Sequence, residues 1–361
     1  MSIVSSRFGR AMCENRVDFG RPTLVVRRRR LGLRIDLRSI VVCVALAVAV
    51  IVLALVALAT GSYQLSVGQV VSALTGGEAG LIHEIVVEWR LPRMTATVVF
   101  GAALGVSGAM FQSLTRNPLA SPDVIGFDSG SYTGALIVIM LIDGGYLEVA
   151  GGALLGGIAT AMLVYVLAWR RGVQGFRLIV VGIGVSAMLT SVNTWMMLRA
   201  DLEVAMSAAA WGAGSLNAVS WDQVALGGAL IAALLMLAGV LSRPMRQMEL
   251  GDDTAASQGV RIADARLGLI VVGVALTATV TAASGPIAFI ALAAPQIARR
   301  LGRTAGITLA PAALAGALLL GAADFVAQHI APTPLPVGLI TVMIGGGYLG
   351  WLLFIEARRR L

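Results

Sequence analysis

Long apolar segments limit what this chain can fold into more than any other feature. A helix needs about 20 apolar residues to cross a bilayer, and ten runs of the sequence come near that length. They cover residues 39–59, 94–113, 124–142, 149–169, 178–198, 223–242, 267–283, 287–298, 307–323 and 337–355. A mean hydropathy of +0.87 and a charged fraction of 13% are typical of membrane proteins. We predict an all-α, polytopic membrane protein with about ten transmembrane helices.

The distribution of arginine predicts how the chain is oriented. All 27 basic residues are Arg, and with a cytoplasmic N-terminus only Arg90, Arg93 and Arg199 fall on the outer side. Because cytoplasmic loops carry the excess of basic residues, we expect both termini in the cytoplasm. The net charge of +8 then reflects topology, and nucleic acid is not expected as a partner.

Composition divides the chain into three parts. We predict an Arg-rich cytoplasmic tail over residues 1–38, a transmembrane domain over 39–355 with a cytoplasmic loop at 243–266, and a cytoplasmic tail over 356–361. The Arg27 to Arg30 run is expected against anionic lipid headgroups. The first apolar run follows a basic region, as in a signal peptide, but it is too long for a typical signal core and is interpreted as a retained helix.

Residues 90–134 have the most elaborate pattern in the chain, RLPRMTATVVFGAALGVSGAMFQSLTRNPLASPDVIGFDSGSYTG. Two apolar segments are joined by a polar turn that contains two X-Pro pairs. Small residues in the first segment, among them Gly105 and Gly108, allow neighbouring helices to approach closely. We therefore expect this helix to be central in the bundle.

The loop at 243–266, RPMRQMELGDDTAASQGVRIADAR, contains a second informative pattern. The side chain of Asp252 or Asp253 could cap a short helix, and Gly259 could end it. A short, Ala-rich helix that projects from a membrane is suited to insertion into a cleft of another protein. Two later motifs, SGPIAFIALAAPQIARRLGRT and LPVG, begin at Ser284 and Leu335.

Taken together, RLPR, GAALGVSGAMFQSLTRNPLASPD, LGDDTAA, GPIAFI and LPVG resemble the FecCD-type permeases. These are the membrane subunits of ABC importers for ferric siderophores, haem and vitamin B12. The EWRLPR, RNPL and SPD signatures are most similar to the branch that carries ferric enterobactin. The resemblance runs from about residue 40 to 355. It implies a type II ABC importer permease, with spans 2–5 mirrored by spans 7–10.

The resemblance also implies roles for particular residues. It makes Arg90 and Arg93 the docking arginines for a solute-binding protein, and anchors that snorkel to the interface are the less favoured explanation of the same residues. It makes the loop segment the contact with an ATPase subunit, through Leu250, Gly251, Asp252, Asp253, Thr254, Ala255 and Gly259.

The span at 178–198 is similar to the family helix that lines the translocation path. We assign Gly105, Gly108, Ser186 and Asn193 to that path. For Ser186 and Asn193, hydrogen bonds between helices are an equally good explanation of polar residues inside a span.

The expected partners follow from the same resemblance. They are a second permease subunit of different sequence, two cytoplasmic ATPase subunits and an extracytoplasmic siderophore-binding protein, all assembled at the cytoplasmic (inner) membrane. The chain has no Lys and therefore no P-loop lysine, so ATP is used by the partner, and we expect neither enzymatic activity nor a cofactor in this chain. With only His83 and His329 as histidines, no metal site is predicted.

Two alternatives stay open at this point. A proton- or sodium-coupled secondary transporter usually keeps an ionisable residue inside the membrane. Asp128 and Asp324 are expected toward span ends and no other acid lies near a span centre, which favours the ABC permease. Within that class, haem and cobalamin are alternatives to a ferric siderophore as the substrate.

Overall fold

The computed structural model describes residues 23–28, 31–78, 80–142, 144–168, 175–217, 219–304 and 306–360. A π-helical segment, Glu84–Arg90, joins the third helix to the fourth. In chain order, the α-helices of this part are α1 (Leu37–Ala59), α2 (Val67–Leu74), α3 (Leu81–His83), α4 (Leu91–Thr115), α5 (Pro122–Ile125), α6 (Phe127–Leu141), α7 (Tyr146–Ala168), α8 (Gly175–Arg199), α9 (Leu202–Gly212), α10 (Trp221–Glu249), α11 (Asp252–Ser257), α12 (Ile262–Ser284), α13 (Ile290–Gly302), α14 (Leu309–His329) and α15 (Val337–Arg360).

Each of the ten apolar runs coincides with one of these helices. Seven helices in the described part of the chain are long and apolar enough to cross a membrane, and α6 and the apolar portion of α15 are shorter. The remaining run forms α13, which has only 13 residues and begins after the predicted interruption at Ser284-Gly285-Pro286. The predicted all-α, multi-pass membrane architecture is confirmed.

A short β-hairpin precedes the first helix. Strand β1 (Thr23–Arg28) pairs in antiparallel fashion with β2 (Leu31–Asp36). This hairpin was not predicted from the sequence. Asp36 then begins α1 by accepting a hydrogen bond from the Arg38 backbone N–H at 3.1 Å. Residues 1–22 and 29–30 of the predicted tail lie outside the described residues. The expected contact of the Arg27 to Arg30 run with lipid headgroups therefore falls partly on residues that the structure does not describe.

Helix α4 is the centre of the bundle, as its small residues predicted. It is mostly buried and packs against α10, α12, α13 and α14. Glycine makes these contacts possible because a Cβ at Gly101 would meet the Gly316 backbone of α14. Ser107 adds a polar contact by donating to the Gly273 carbonyl of α12 at 2.6 Å.

Two short helices begin inside the bundle. Helix α6 follows Gly126, whose φ of 94° is the left-handed conformation that glycine accommodates, and α13 follows Phe289 with φ of 68°. The Asp123 carboxylate joins the two starts by accepting a hydrogen bond from the Phe289 backbone N–H at 2.9 Å. The SPD and GPIAFI motifs therefore meet in space.

Candidate functional site

Arg90 and Arg93, the arginines predicted to lie on the outer side near α4, are both engaged within the chain. Arg90 donates from Nη1 to the Leu58 carbonyl at 2.7 Å and from Nη2 to the Tyr63 carbonyl at 2.6 Å. It thereby ties the end of α1 and the following loop to the start of α4. An arginine that satisfies two backbone carbonyls has fewer donors left for another protein.

Arg93 forms a two-point ion pair with Asp324 of α14. Its Nε lies 3.0 Å from Asp324 Oδ2 and its Nη2 lies 2.7 Å from Oδ1, while Gln328 donates to the same carboxylate at 2.8 Å. The Arg93 side chain is 13% exposed and that of Asp324 is 5% exposed. The structure thus adds an anchoring role for both outer arginines, and sequence reasoning did not identify Asp324 as a partner.

The loop between α10 and α12 folds as a short helix, as predicted, but it begins differently. The residue before α11 is Gly251 with φ of 115°, and no side chain caps the helix. The prediction that Asp252 or Asp253 caps it through its side chain is therefore wrong. Gly259, with φ of 86°, follows the last turn where the sequence placed it.

The faces of this segment differ in accessibility. Leu250 is 69% exposed, and Asp253, Thr254, Ala256 and Gly259 are exposed as well. Ala255, in contrast, is completely buried inside the chain. Ala255 therefore anchors α11 to its own bundle, and the accessible surface for another protein consists of Leu250 and the exposed residues around it.

Asp252 uses its carboxylate to connect three elements. Oδ1 accepts a hydrogen bond from Arg116 Nη2 at 2.7 Å, and Oδ2 accepts one from Arg266 Nη2 at 2.8 Å. Arg116 directly follows α4 and Arg266 belongs to α12. Neither arginine was singled out from the sequence. Arg116 is 136 residues from Asp252, and Arg266 is 14 residues from it.

Gly105 and Gly108 have a packing role. Both are buried, and a Cβ at these positions would meet the backbones of Ala312 in α14 and Ala291 in α13, respectively. Their faces of α4 are thus covered by helices of this same chain. The structure gives these two glycines a packing role, and their assignment to a translocation path stays a prediction.

Ser186 and Asn193 of α8 form hydrogen bonds with α6. Ser186 Oγ lies 2.9 Å from Ser129 Oγ, and the Asn193 side chain donates to the Ser129 carbonyl at 3.2 Å. Thr133 donates to Asn193 Oδ1 at 2.7 Å. For these two residues the structure provides the helix-to-helix hydrogen bonds that the sequence left as one of two explanations.

Asn193 also lines a cavity of about 400 Å³ between α6, α8 and α9. Most of the cavity wall is apolar, and hydroxyl, amide and carboxylate groups contribute a smaller polar part. Its lining residues are Asp128, Ser129, Tyr132, Thr190, Asn193, Thr194, Met197, Gly212 and Pro286. Hydrogen bonding between helices and lining of an internal space are therefore compatible at Asn193.

Asp128 lies deeper in the bundle than its sequence position indicated. Its position can be followed from α4 to α12. Along α4, Ser107 is about 12 Å from the Thr115 end at a rise of about 1.5 Å per residue. Ser107 Oγ is 2.9 Å from Thr277 Oγ1 of α12, so Thr277 lies beside it. Thr281, one turn further along α12, donates to Asp128 Oδ1 at 3.3 Å. Asp128 is nevertheless the second residue of α6, toward the end of its span as predicted, and it is enclosed because α6 itself begins inside the bundle.

The described residues contain no group of three or more His, Cys, Asp or Glu side chains that could hold a metal ion. What the geometry offers is a set of mechanical and polar connections. An exposed helix is tied to the central helix at one end of the bundle, an ion pair holds the other end, and the cavity that Asn193 lines lies between α6, α8 and α9.

Comparison with known proteins identifies the family. The FecCD transport family model matches residues 48–354. The chain is 47% identical over 327 residues to the ferric enterobactin transport system permease protein FepG of Escherichia coli (strain K12), covering 90% of this chain and 99% of that protein. It is also 37% identical to the achromobactin transport system permease protein CbrC of Dickeya dadantii (strain 3937), covering 91% of this chain and 96% of the relative.

A solved structure supports the fold. It is described as an inward-facing conformation of a metal-chelate type ABC transporter, and it superposes with a TM-score of 0.76 at 24% identity over 87% of this chain and 98% of that chain. The predicted similarity to the ferric-enterobactin branch is confirmed by the match to FepG. With the family model covering most of its length, the chain belongs to the FecCD transport family.

Proposed function

We propose that this chain is a permease subunit of an ABC importer that carries a ferric siderophore of the enterobactin type across the cytoplasmic membrane. The 47% identity to FepG over almost the whole of that protein is the observation that carries this proposal. Uptake is driven by ATP hydrolysis in a separate ATPase subunit. This chain supplies the membrane path and the contact surfaces.

The α11 segment is the proposed contact with the ATPase. Its exposed residues, with Leu250 as a large apolar side chain, form a surface suited to a cleft, and Gly251 and Gly259 set the bends at both ends of the helix. Asp252, Asp253 and Thr254 extend this surface, whereas Ala255 supports it from below. The arginines of the flanking loops favour a cytoplasmic position for this segment and for both termini.

The Arg90 end of the bundle is the proposed docking face for the siderophore-binding protein. Arg90 and Arg93 are the basic groups at the start of α4, and arginine is suited to carboxylate recognition. In this proposal Arg93 acts through its ion pair with Asp324, because the two-point contact fixes the orientation of the guanidinium group.

The path for the chelate is proposed to run beside α8 and to include the cavity that Asn193 lines. Large portions of α8 are exposed, among them Ile183, Met188 and Trp195. A second permease subunit of different sequence is proposed to cover this face and to complete the path.

The ATPase contact can be tested by co-purification. Ala256→Trp places a bulky side chain on the exposed side of α11 and should abolish recovery of the ATPase with the permease. Val67→Trp, at a residue of α2 that is 57% exposed, is the matched control and should retain the ATPase. Recovery of equal amounts with both variants would show that α11 is not the contact.

The substrate can be tested separately in a strain that lacks this gene. The strain is supplied with labelled ferric siderophores of the catecholate, hydroxamate and carboxylate classes, and with haem and cobalamin. The wild-type chain should restore the uptake of a ferric catecholate more than that of any other compound. Restoration confined to another class would replace the substrate but leave the permease assignment in place.

A further inference from the structure

The loop segment that carries α11 is fastened to the end of α4 by two acidic residues. Glu249 accepts a hydrogen bond from Ser113 Oγ at 2.7 Å, and Asp252 pairs with Arg116 at 2.7 Å. These acids flank Leu250 and Gly251. The exposed surface of the segment is therefore connected directly to the central helix, although α11 neighbours α10 and α12 in sequence.

Arg116 is positioned for this contact by an uncommon backbone conformation. Its φ is 52° and its ψ is 31°, in the left-handed region that non-glycine residues rarely adopt. From this position Nη2 donates both to Asp252 and to the Met248 carbonyl at 2.8 Å. One guanidinium group thus binds the end of α10 and the start of α11 together.

Arg266 holds the second oxygen of the same carboxylate from α12. Its side chain is only 14% exposed, compared with 49% for Arg116 and 44% for Asp252. Exposed ion pairs contribute little to stability, so the Arg116–Asp252 pair of this network is not needed to keep the bundle folded. Its geometry, with one arginine for each carboxylate oxygen, fixes the orientation of α11 relative to α4 and α12.

We propose that Arg116 and Arg266 are positioning residues that transmit movement of α11 to α4 and α12 through Asp252. This inference rests on the proposed contact of α11 with an ATPase. A displacement of α11 pulls on the end of α4. Helix α4 packs against α10, α12, α13 and α14. Near its opposite end, α4 is bound to α14 through the Arg93–Asp324 ion pair. The connection therefore extends from the ATPase side of the bundle to its opposite face.

The test measures coupling separately from assembly. The permease, its partner subunit and the ATPase are co-purified and placed in proteoliposomes, and the siderophore transported per ATP hydrolysed is determined for Arg116→Gln and Arg266→Gln. Couplings between sites are typically 5–150-fold, and we expect the transport-to-hydrolysis ratio to fall about tenfold in each variant. ATPase recovery should remain at the wild-type level.

Three further variants make the result specific. Asp252→Asn should reproduce the loss because it removes the charge that both arginines bind, and Arg116→Lys should retain most of the ratio because it keeps a cation opposite Asp252. Arg261→Gln removes an equal charge from the same loop, where Arg261 pairs with the exposed Asp264, and should leave the ratio unchanged.

The possible failures are distinguishable. An unchanged ratio in Arg116→Gln, Arg266→Gln and Asp252→Asn would overturn the transmission role while the proposed permease function stands. Loss of ATPase recovery in Arg116→Gln and Arg266→Gln would also overturn it, since the arginines would then form the contact surface itself. Absence of ATPase binding to the wild-type permease would contradict the proposed function instead.

Discussion

Arg93 and Asp324 are 231 residues apart in sequence and form a two-point ion pair between α4 and α14. The two N···O distances of 3.0 and 2.7 Å and the low exposure of both side chains make this one of the most enclosed charge contacts in the described part of the chain. A buried charge that loses its partner is far more costly than an exposed one. The pair therefore determines how this end of the bundle responds to mutation.

Asp324→Ala should destabilise the protein because it leaves the Arg93 guanidinium enclosed without its counter-charge. Removing one member of a buried pair costs about 3–5 kcal/mol, and the apparent Tm in detergent, followed by fluorescence-detected size exclusion, should fall markedly. The double variant Arg93→Met/Asp324→Leu should recover most of this loss because it removes both charges. A Tm of Asp324→Ala equal to that of wild type would rule out the ion pair as a structural contact.

Exchanging the two charges tests whether Arg93 takes part in docking. Arg93→Asp with Asp324→Arg keeps an ion pair but moves the positive group from α4 to α14. We expect the variant to fold and to lose stimulation of ATPase activity by the binding protein, because electrostatic complementarity depends on the position of the charge. Full stimulation by the exchanged variant would leave Arg93 with the anchoring role alone.

Gly108→Ala should impair packing because its Cβ would meet the Ala291 backbone of α13. Overpacking of a close contact typically costs about 1–3 kcal/mol, and a backbone neighbour cannot move aside as a flexible side chain can. Gly239→Ala on α10, where a Cβ meets nothing within 4 Å, is the matched control. We expect a lower apparent Tm for Gly108→Ala only, and equal values for both variants would show that this helix contact is looser than described.

The cavity beside α8 should be accessible to water if it belongs to the path. In a background without cysteine, Thr194→Cys in the cavity wall should react with a charged thiol reagent, whereas Met236→Cys, on an exposed apolar part of α10, should not. Chelate added at saturating concentration should slow the reaction of Thr194→Cys. Equal labelling of the two positions would remove the cavity from the proposed path.

The positions and order of the apolar helices were predictable because they depend on local features. Apolar length determines where a helix can cross, and small residues in α4 indicated that it packs centrally. Gly259 likewise marked the end of α11, because a left-handed residue after a helix is usually glycine.

Contacts between distant residues could not be predicted in the same way. The partners of Arg93 and Arg116 lie on other helices, and only the folded chain shows that Asp324 and Asp252 meet them. The depth of Asp128 was missed because it depends on where α6 begins in the bundle. Ala255 was placed on the contact surface because sequence alone does not show which side of so short a helix is covered.

The central claim is that ATP hydrolysis in a partner drives import through this chain, and proteoliposomes test it directly. Vesicles containing the permease pair and the ATPase, with the binding protein outside and ATP inside, are supplied with a labelled ferric catecholate siderophore. We predict that uptake requires enclosed ATP, continues when a protonophore collapses the proton gradient and stops when the ATPase is inactivated. Uptake that depends on the gradient and continues without ATP would contradict this account and indicate a secondary transporter.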